Sequence, residues 1–242
     1  MKSVCVHTND KKYTLVEALS SLDSPVTHAT KYNNKALNNS IWAEKNIYWR
    51  LDSNYEWIDR KTLEKLTRLA FLEASLHTPL VINQKRRSTS DAQIIINYLG
   101  KKDEPYFTSD SILASGYGPA QGLGGNITMN ADVIWRLPSL GKLTVKQAFD
   151  LGMIDNYDRN HPDNILRTYD PLHTEKHEGG HALGMRHIEL ESERYTATMY
   201  PYYNGTRKFG DADINYLTDL YGKASVIHET KEYLRNKILN FQ

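Results

Sequence analysis

The sequence predicts an α+β domain: strands and helices packed about one apolar core, with one helix bearing histidines. Three observations predict it. Two β-rich runs, residues 47–51 and 92–98, flank a segment over 62–77 whose apolar residues fall at helical spacing. The stretch from His177 to His187 places its histidines as a helix that then stops would place them. A single cysteine excludes an intrachain disulfide, so an apolar core must hold the fold, and 40% of the residues are hydrophobic.

Length suits one domain with extensions. With 30 basic and 29 acidic side chains the net charge is +1, and nothing in it suggests nucleic acid or a membrane surface as partner. No run approaches the about 18 apolar residues of a membrane span. The first ten residues lack the apolar stretch of a secretory signal. If Met1 is the true start, the chain is expected to be cytoplasmic at synthesis, without excluding another route of secretion. A monomer is expected.

Taken in order, residues 1–40 are polar and read as an N-terminal extension, with a short helix over 12–22. Residues 47–51 form a first strand. Over 62–77, Leu63, Leu66, Leu69, Ala70, Leu72 and Leu76 make one helical face, which Pro79 ends. Lys85, Arg86 and Arg87 belong to a solvated loop. A strand over 92–98 follows, then a glycine turn at 122–126 and a strand at 127–130. Residues 144–152 suit a short helix stopped by Gly152. His161 lies in a polar loop and reads as solvated. Asp170 and Pro171 are the cap and first residue of the next helix. The tail over 223–242, with Val226, Ile227, Tyr233, Leu234, Ile238 and Leu239, reads as one more helix.

The helix from Pro171 carries the chemistry. His177 and His181 stand one turn apart on one face, so two neutral imidazoles can grip one Zn²⁺. Gly184 allows the left-handed conformation that ends a helix, and His187 then reaches the same ion from another side. Three protein ligands leave a fourth position open for water, the catalytic arrangement of zinc. Glu178 follows the first ligand and can act as general base. Chance would give this pattern in roughly one such chain in 10⁴ or fewer. Gly179 and Gly180 weaken the helix by about 1 kcal/mol each, for a reason the sequence does not state. His173 projects to the same face, a turn too far for the metal, and suits a supporting, structural or solvated place.

The spacing H-E-x-x-H-x-x-G-x-x-H is the zinc-binding consensus of the metzincin clan of metallopeptidases. Met199, in Thr-Met-Tyr-Pro-Tyr-Tyr over 198–203, resembles the Met-turn of the matrixins, the matrix metalloproteinase family. Residues 213–222 resemble the matrixin D-I-x-x-I-x-x-L-Y-G helix, 70–80 the A-F-x-x-W-S-x-V-T-P-L helix end, and 92–98 the A-D-I-x-I-x-F strand. The resemblance covers about residues 41–222. It implies a metzincin-like fold: a twisted, mostly parallel five-stranded sheet with one antiparallel edge strand at 112–116, the zinc helix beneath it, a Met-turn and a small C-terminal lobe from Gly184 on. An extended peptide pairs with that open edge, with Leu113, Ala114, Pro201 and Tyr203 lining the substrate cleft. It further implies hydrolysis of internal peptide bonds by a zinc-activated water, with Glu178 as base and Met199 as an apolar floor.

Departures are equally specific. No histidine occurs between His77 and His161, and Thr128 stands where the family has a structural-zinc histidine, so no structural zinc is expected. Val133, Gln93 and Asn126 replace acidic calcium ligands. That removes most of the charge calcium needs and leaves a carbonyl-rich site in the glycine loop as the remaining option. Residues 137–167 look like an insertion. Asp213 matches the aspartate tying the last helix to the Met-turn, while Ala212 replaces its acidic neighbour, so no ion pair to a freed N-terminus is expected. Ile188 replaces the family's serine or threonine. The motif around the family's propeptide cysteine is absent about Cys5, which reads first as an incidental thiol and second as a zinc-blocking ligand. A family whose animal members are mostly secreted, met without a signal, points to a microbial or viral relative. The alternative function is a catalytically silent, zinc-containing peptide-binding or virion structural protein. Intact Glu178 argues against it. A metal-dependent hydrolase of non-peptide amides is a third reading.

Overall fold

The computed structural model describes residues 4–7, 41–85, 92–108, 111–119 and 124–225. Strand β1 is Val4–His7, β2 Asn46–Leu51, β3 Val81–Gln84, β4 Ile94–Leu99, β5 Ile112–Gly116 and β6 Ile127–Asn130. Helix α1 is Arg60–His77, α2 Val145–Asp150, α3 Pro171–Ala182 and α4 Asp211–Tyr221. One sheet forms in the order β1-β5-β6-β4-β2-β3. β5 runs antiparallel to β6, and the other neighbours are parallel. The expected α+β architecture is present, with five strands between residues 41 and 222 and β5 as the antiparallel one. The helix expected over 12–22, and the tail helix beyond residue 225, lie outside the described residues.

The period-two pattern of β2 and β4 buries Ile47, Trp49, Leu51, Ile94, Ile96 and Tyr98 in one core with Leu63, Leu66 and Ala70 of α1. Asp59 caps α1, accepting from the Thr62 N–H at 3.1 Å and the Thr62 hydroxyl at 2.6 Å. That cap explains a start two residues before the apolar periodicity begins. The inserted stretch before α3 is closed on itself. Thr144 and Gln147 form a reciprocal capping box, and Thr144 bridges Ile165. His161 stays exposed, its Nδ1 2.8 Å from Asp158 Oδ2.

Two strands were not anticipated. β3 is short and half-exposed, with no apolar run to mark it. β1 comes from the polar extension and lies parallel along β5, Cys5 opposite Ala114 and His7 opposite Gly116. The β5 edge expected to be open is therefore covered by the chain's own residues 4–7.

Where the sheet meets the C-terminal lobe, three segments are tied at one point. Trp42 Nε1 donates to the Ala182 carbonyl at 2.8 Å, and the Tyr221 hydroxyl donates to the Leu183 carbonyl at 2.9 Å and accepts from the Trp42 N–H at 3.2 Å. These carbonyls are the ones a helix end leaves without intrahelical partners. Gly125 permits the fit: a β-carbon there would press within 2.9 Å of the Trp42 ring.

Candidate metal centre

Asp170 caps α3, accepting from the Leu172 N–H at 3.0 Å, with Pro171 as the first helical residue. All twelve residues of α3 are buried, charged ones included. Lys176 meets Glu73 of α1 at 2.6 Å with neither side chain exposed, and donates to the Arg207 carbonyl at 2.5 Å. Glu73 Oε2 also accepts from the Phe209 N–H at 2.9 Å. Burial pushes the Lys176 ammonium down and the Glu73 charge pulls it back. Glu175 accepts from the Tyr98 hydroxyl at 2.7 Å and the Thr67 hydroxyl at 2.8 Å, and burial raises its carboxyl to about 7. These contacts lock the helix between α1, the sheet and the lobe. Sequence reasoning missed them, because each joins residues far apart in the chain.

Gly184 ends the helix turn at φ +91°, and its N–H donates to the His181 carbonyl at 2.8 Å. His187 is thereby brought back to His177 and His181. The three Nε2 atoms lie 3.2, 3.2 and 3.1 Å from one another. Zinc–nitrogen bonds of about 2.0–2.1 Å on a tetrahedral centre would set such atoms about 3.3 Å apart. His177 Nδ1 sits 2.7 Å from the Thr198 carbonyl, and His181 Nδ1 2.9 Å from the Met185 carbonyl. A carbonyl only accepts, so both Nδ1 atoms carry the proton and both Nε2 lone pairs point to the shared space. Converging lone pairs at this spacing suit a cation, and the three histidines can hold a metal ion. The predicted ligand set is brought together in full.

Glu178 is buried, and its carboxylate lies against the end of β5. A β-carbon at Gly116 would come within 2.6 Å of Glu178 Oε2. The Glu178 carboxylate therefore stands where β5 ends, in the space that Gly116 leaves free. Leu113 and Ala114 are fully buried within β5.

The two helix glycines have their reason here. A β-carbon at Gly179 would meet the Phe71 ring at 3.0 Å, and one at Gly180 would overlap Met199 Sδ. Met199 is fully buried, with its sulfur against Gly180 of the histidine helix. Asp213 holds that turn in place by accepting from the N–H groups of Thr198, Met199 and Gly210 at 2.7, 3.0 and 2.8 Å; burial nevertheless raises its carboxyl to about 6. Gly180→Ala should therefore overpack the site. We expect a loss of about 1–3 kcal/mol, read as a lower thermal midpoint and faster zinc release to a chelator.

His173 is neither solvated nor at the metal. It is buried at 1% exposure, with Nδ1 2.7 Å from the Thr206 carbonyl. Its ring meets Tyr203 edge-on at 4.7 Å and stands 6.4 Å from that of His177. Tyr203, expected to line the cleft, also meets the Tyr169 ring edge-to-face at 5.2 Å, and its hydroxyl accepts from the Asp170 N–H at 2.9 Å. Pro201 is partly exposed beside it. At the positions of the missing metal ligands, Thr128 pairs across the sheet with Asn97 and Ser115, and Gln93 Oε1 accepts from the Tyr48 N–H at 2.9 Å. Part of the glycine loop lies outside the described residues.

Comparison with known proteins agrees with this geometry. The profile of the matrixin family, Peptidase M10, matches residues 41–222. The chain is 27% identical over 191 residues to matrix metalloproteinase-18 of Xenopus laevis, covering 77% of this chain and 34% of that protein. It is 26% identical over 185 residues to the probable matrix metalloproteinase 095L of Invertebrate iridescent virus 3, covering 75% and 42%. It is 23% identical over 192 residues to neutrophil collagenase of Homo sapiens, covering 77% and 34%. The chain thus spans about a third to two fifths of the length of these relatives. The profile match takes in strands β2 to β6, the histidine helix and the segment around Met199 together, and by it the chain belongs to the matrixin family of metallopeptidases.

Proposed function

We propose that this chain is a zinc-dependent endopeptidase that hydrolyses internal bonds of proteins bound in extended conformation. The observation that carries the reading is the placement of Glu178, one residue after a ligand and packed against the end of β5. A peptide added to that edge would pass its backbone carbonyls beside both the base and the three imidazoles. Zinc held by His177, His181 and His187 would polarise the scissile carbonyl and acidify a bound water. Glu178 takes the proton from the attacking water and delivers it to the leaving amine nitrogen. Thr198 and Met185 carbonyls keep the imidazoles of His177 and His181 in the ligating tautomer.

Strand β1 occupies the same edge. We read residues 1–40 as a removable extension that keeps the edge covered until it is cut away. The test pairs zinc content by mass spectrometry with cleavage of a quenched-peptide library, on the chain as purified and after limited proteolysis ahead of Ile41. About one zinc per chain is expected, with internal cleavage that a chelator stops and that rises after proteolysis. One zinc with no cleavage in either form would favour the silent peptide-binding reading. A zinc-free native protein would overturn the metal centre itself.

A further inference from the structure

The inserted stretch ahead of α3 carries apolar surface that it does not bury. Leu140 and Ile165 are 58% and 55% exposed, and Phe149 and Leu151 are exposed as well. A stretch that only bridges two elements has no need of large apolar side chains in water, and grouped ones mark contact surfaces. Backbone bonds bring the two ends of the stretch together. The Leu166 N–H donates to the Leu143 carbonyl at 2.7 Å, and Ile165 bridges Thr144. A groove of about 270 Å³ opens there, with Arg136, Leu137, Pro138, Lys142 and Ile165 in its walls. That volume lies below the about 300–1,000 Å³ of sites that enclose a small molecule, so it suits one or two side chains of a larger partner.

Charge narrows the partner. Arg136 Nε and Nη2 donate to the Gly141 and Leu140 carbonyls at 2.9 and 2.6 Å, which fixes the guanidinium without neutralising it. Lys142 is exposed, and neither cation pairs with a carboxylate among the described residues. The one carboxylate in the groove wall, Asp170, is already met by Arg207 at 2.8 Å. Two uncompensated cations beside apolar walls favour carboxylates next to apolar side chains. Position says which molecule brings them. Tyr203 lines the groove and also meets His173 of the histidine helix edge-on at 4.7 Å, while none of the three metal-binding histidines lines it. The groove therefore borders the surroundings of the centre without opening onto the histidines. An extended polypeptide advances about 3.3 Å per residue, so residues a few places from the cut reach it.

We propose that this groove is an exosite for the protein being cleaved, binding a segment of the substrate outside the residues at the cut in which apolar side chains alternate with aspartate or glutamate. Binding there tethers the substrate and raises the effective concentration of the segment to be cut, so it acts on KM and leaves kcat. The assignment rests on the endopeptidase reading.

The test uses the zinc-loaded chain, before and after limited proteolysis ahead of Ile41, and a quenched-peptide library in three forms. One form is the library alone, one is joined at either end through a glycine-serine linker to Asp-Leu-Glu-Leu-Asp, and one likewise to Lys-Leu-Lys-Leu-Lys. The acidic tail should raise kcat/KM about tenfold through KM, and the basic tail should not. Salt at about 0.5 M should remove most of the gain. Lys142→Glu, a change at an exposed side chain, should abolish the acidic gain, pass it to the basic tail and leave cleavage of the untailed library as in the parent. Equal cleavage of the acidic and basic forms by the parent, or an acidic gain that Lys142→Glu leaves intact, overturns the exosite and leaves the endopeptidase standing. A concentration-dependent dimer that Lys142→Glu dissolves, seen by analytical ultracentrifugation, gives the groove to a second copy of the chain and also overturns the exosite. No cleavage by any zinc-loaded form overturns both.

Discussion

Glu178→Ala should bind zinc as the parent does and cleave peptides at least about a thousandfold more slowly, within the 10²–10⁴ range of positioned acid–base catalysis. His177 and His181 are oriented by the Thr198 and Met185 carbonyls, and His187 by the turn at Gly184. On the proposed mechanism, removing the carboxylate deletes the group that accepts and returns the proton. The matched measurements are zinc stoichiometry by mass spectrometry and turnover of a quenched peptide by the same preparation. Parental turnover in the variant would show that another group moves the proton and would end the assignment. Loss of zinc would instead show that Glu178 helps hold the centre.

The largest effect on stability should come from breaking the pair beneath the helix. Lys176 and Glu73 are both fully buried at 2.6 Å. Lys176→Met leaves the Glu73 carboxylate in the core without its buried counter-charge, while the Phe209 N–H at 2.9 Å remains. Removing one member of such a pair costs about 3–5 kcal/mol. At about 2–4 °C per kcal/mol for a chain of this size, the thermal midpoint should fall by roughly 10 °C. Adding Glu73→Gln should recover most of the loss, because the amide oxygen can still accept from Phe209 while the buried charge is gone. A single variant that melts with the parent, or a double variant no better than the single, would show that the pair does not hold α3.

Much of this arrangement was legible in the chain, for a physical reason. Histidines one helical turn apart, a glycine that can take positive φ, and an Asp-Pro start all act through local geometry, so they survive as fixed spacings. Strands β2 and β4 announce themselves by short runs rich in isoleucine and aromatic residues. What escaped was what depends on distant partners. Gly179 and Gly180 look like weaknesses of a helix until Phe71 and Met199 are seen against them. Trp42 gives no sign that it caps the end of α3, 140 residues away. The polar surroundings of Val4–His7 hide a strand whose partner is β5, and His173 is shown to be buried only by Tyr203 and Thr206.

The centre draws its ligands from two parts of the molecule with different resistance to opening. His177 and His181 sit on a helix buried along its whole length, whose amide hydrogens should exchange with solvent only when the domain opens as a whole. His187 is partly exposed, on a segment without regular structure. Opening of that segment alone breaks one of three bonds and leaves two imidazoles in place. A bound metal should therefore exchange through a two-histidine state reached by a local fluctuation, at a rate set by the loop and independent of the global unfolding rate. Denaturant should leave that rate nearly unchanged until the domain itself begins to unfold.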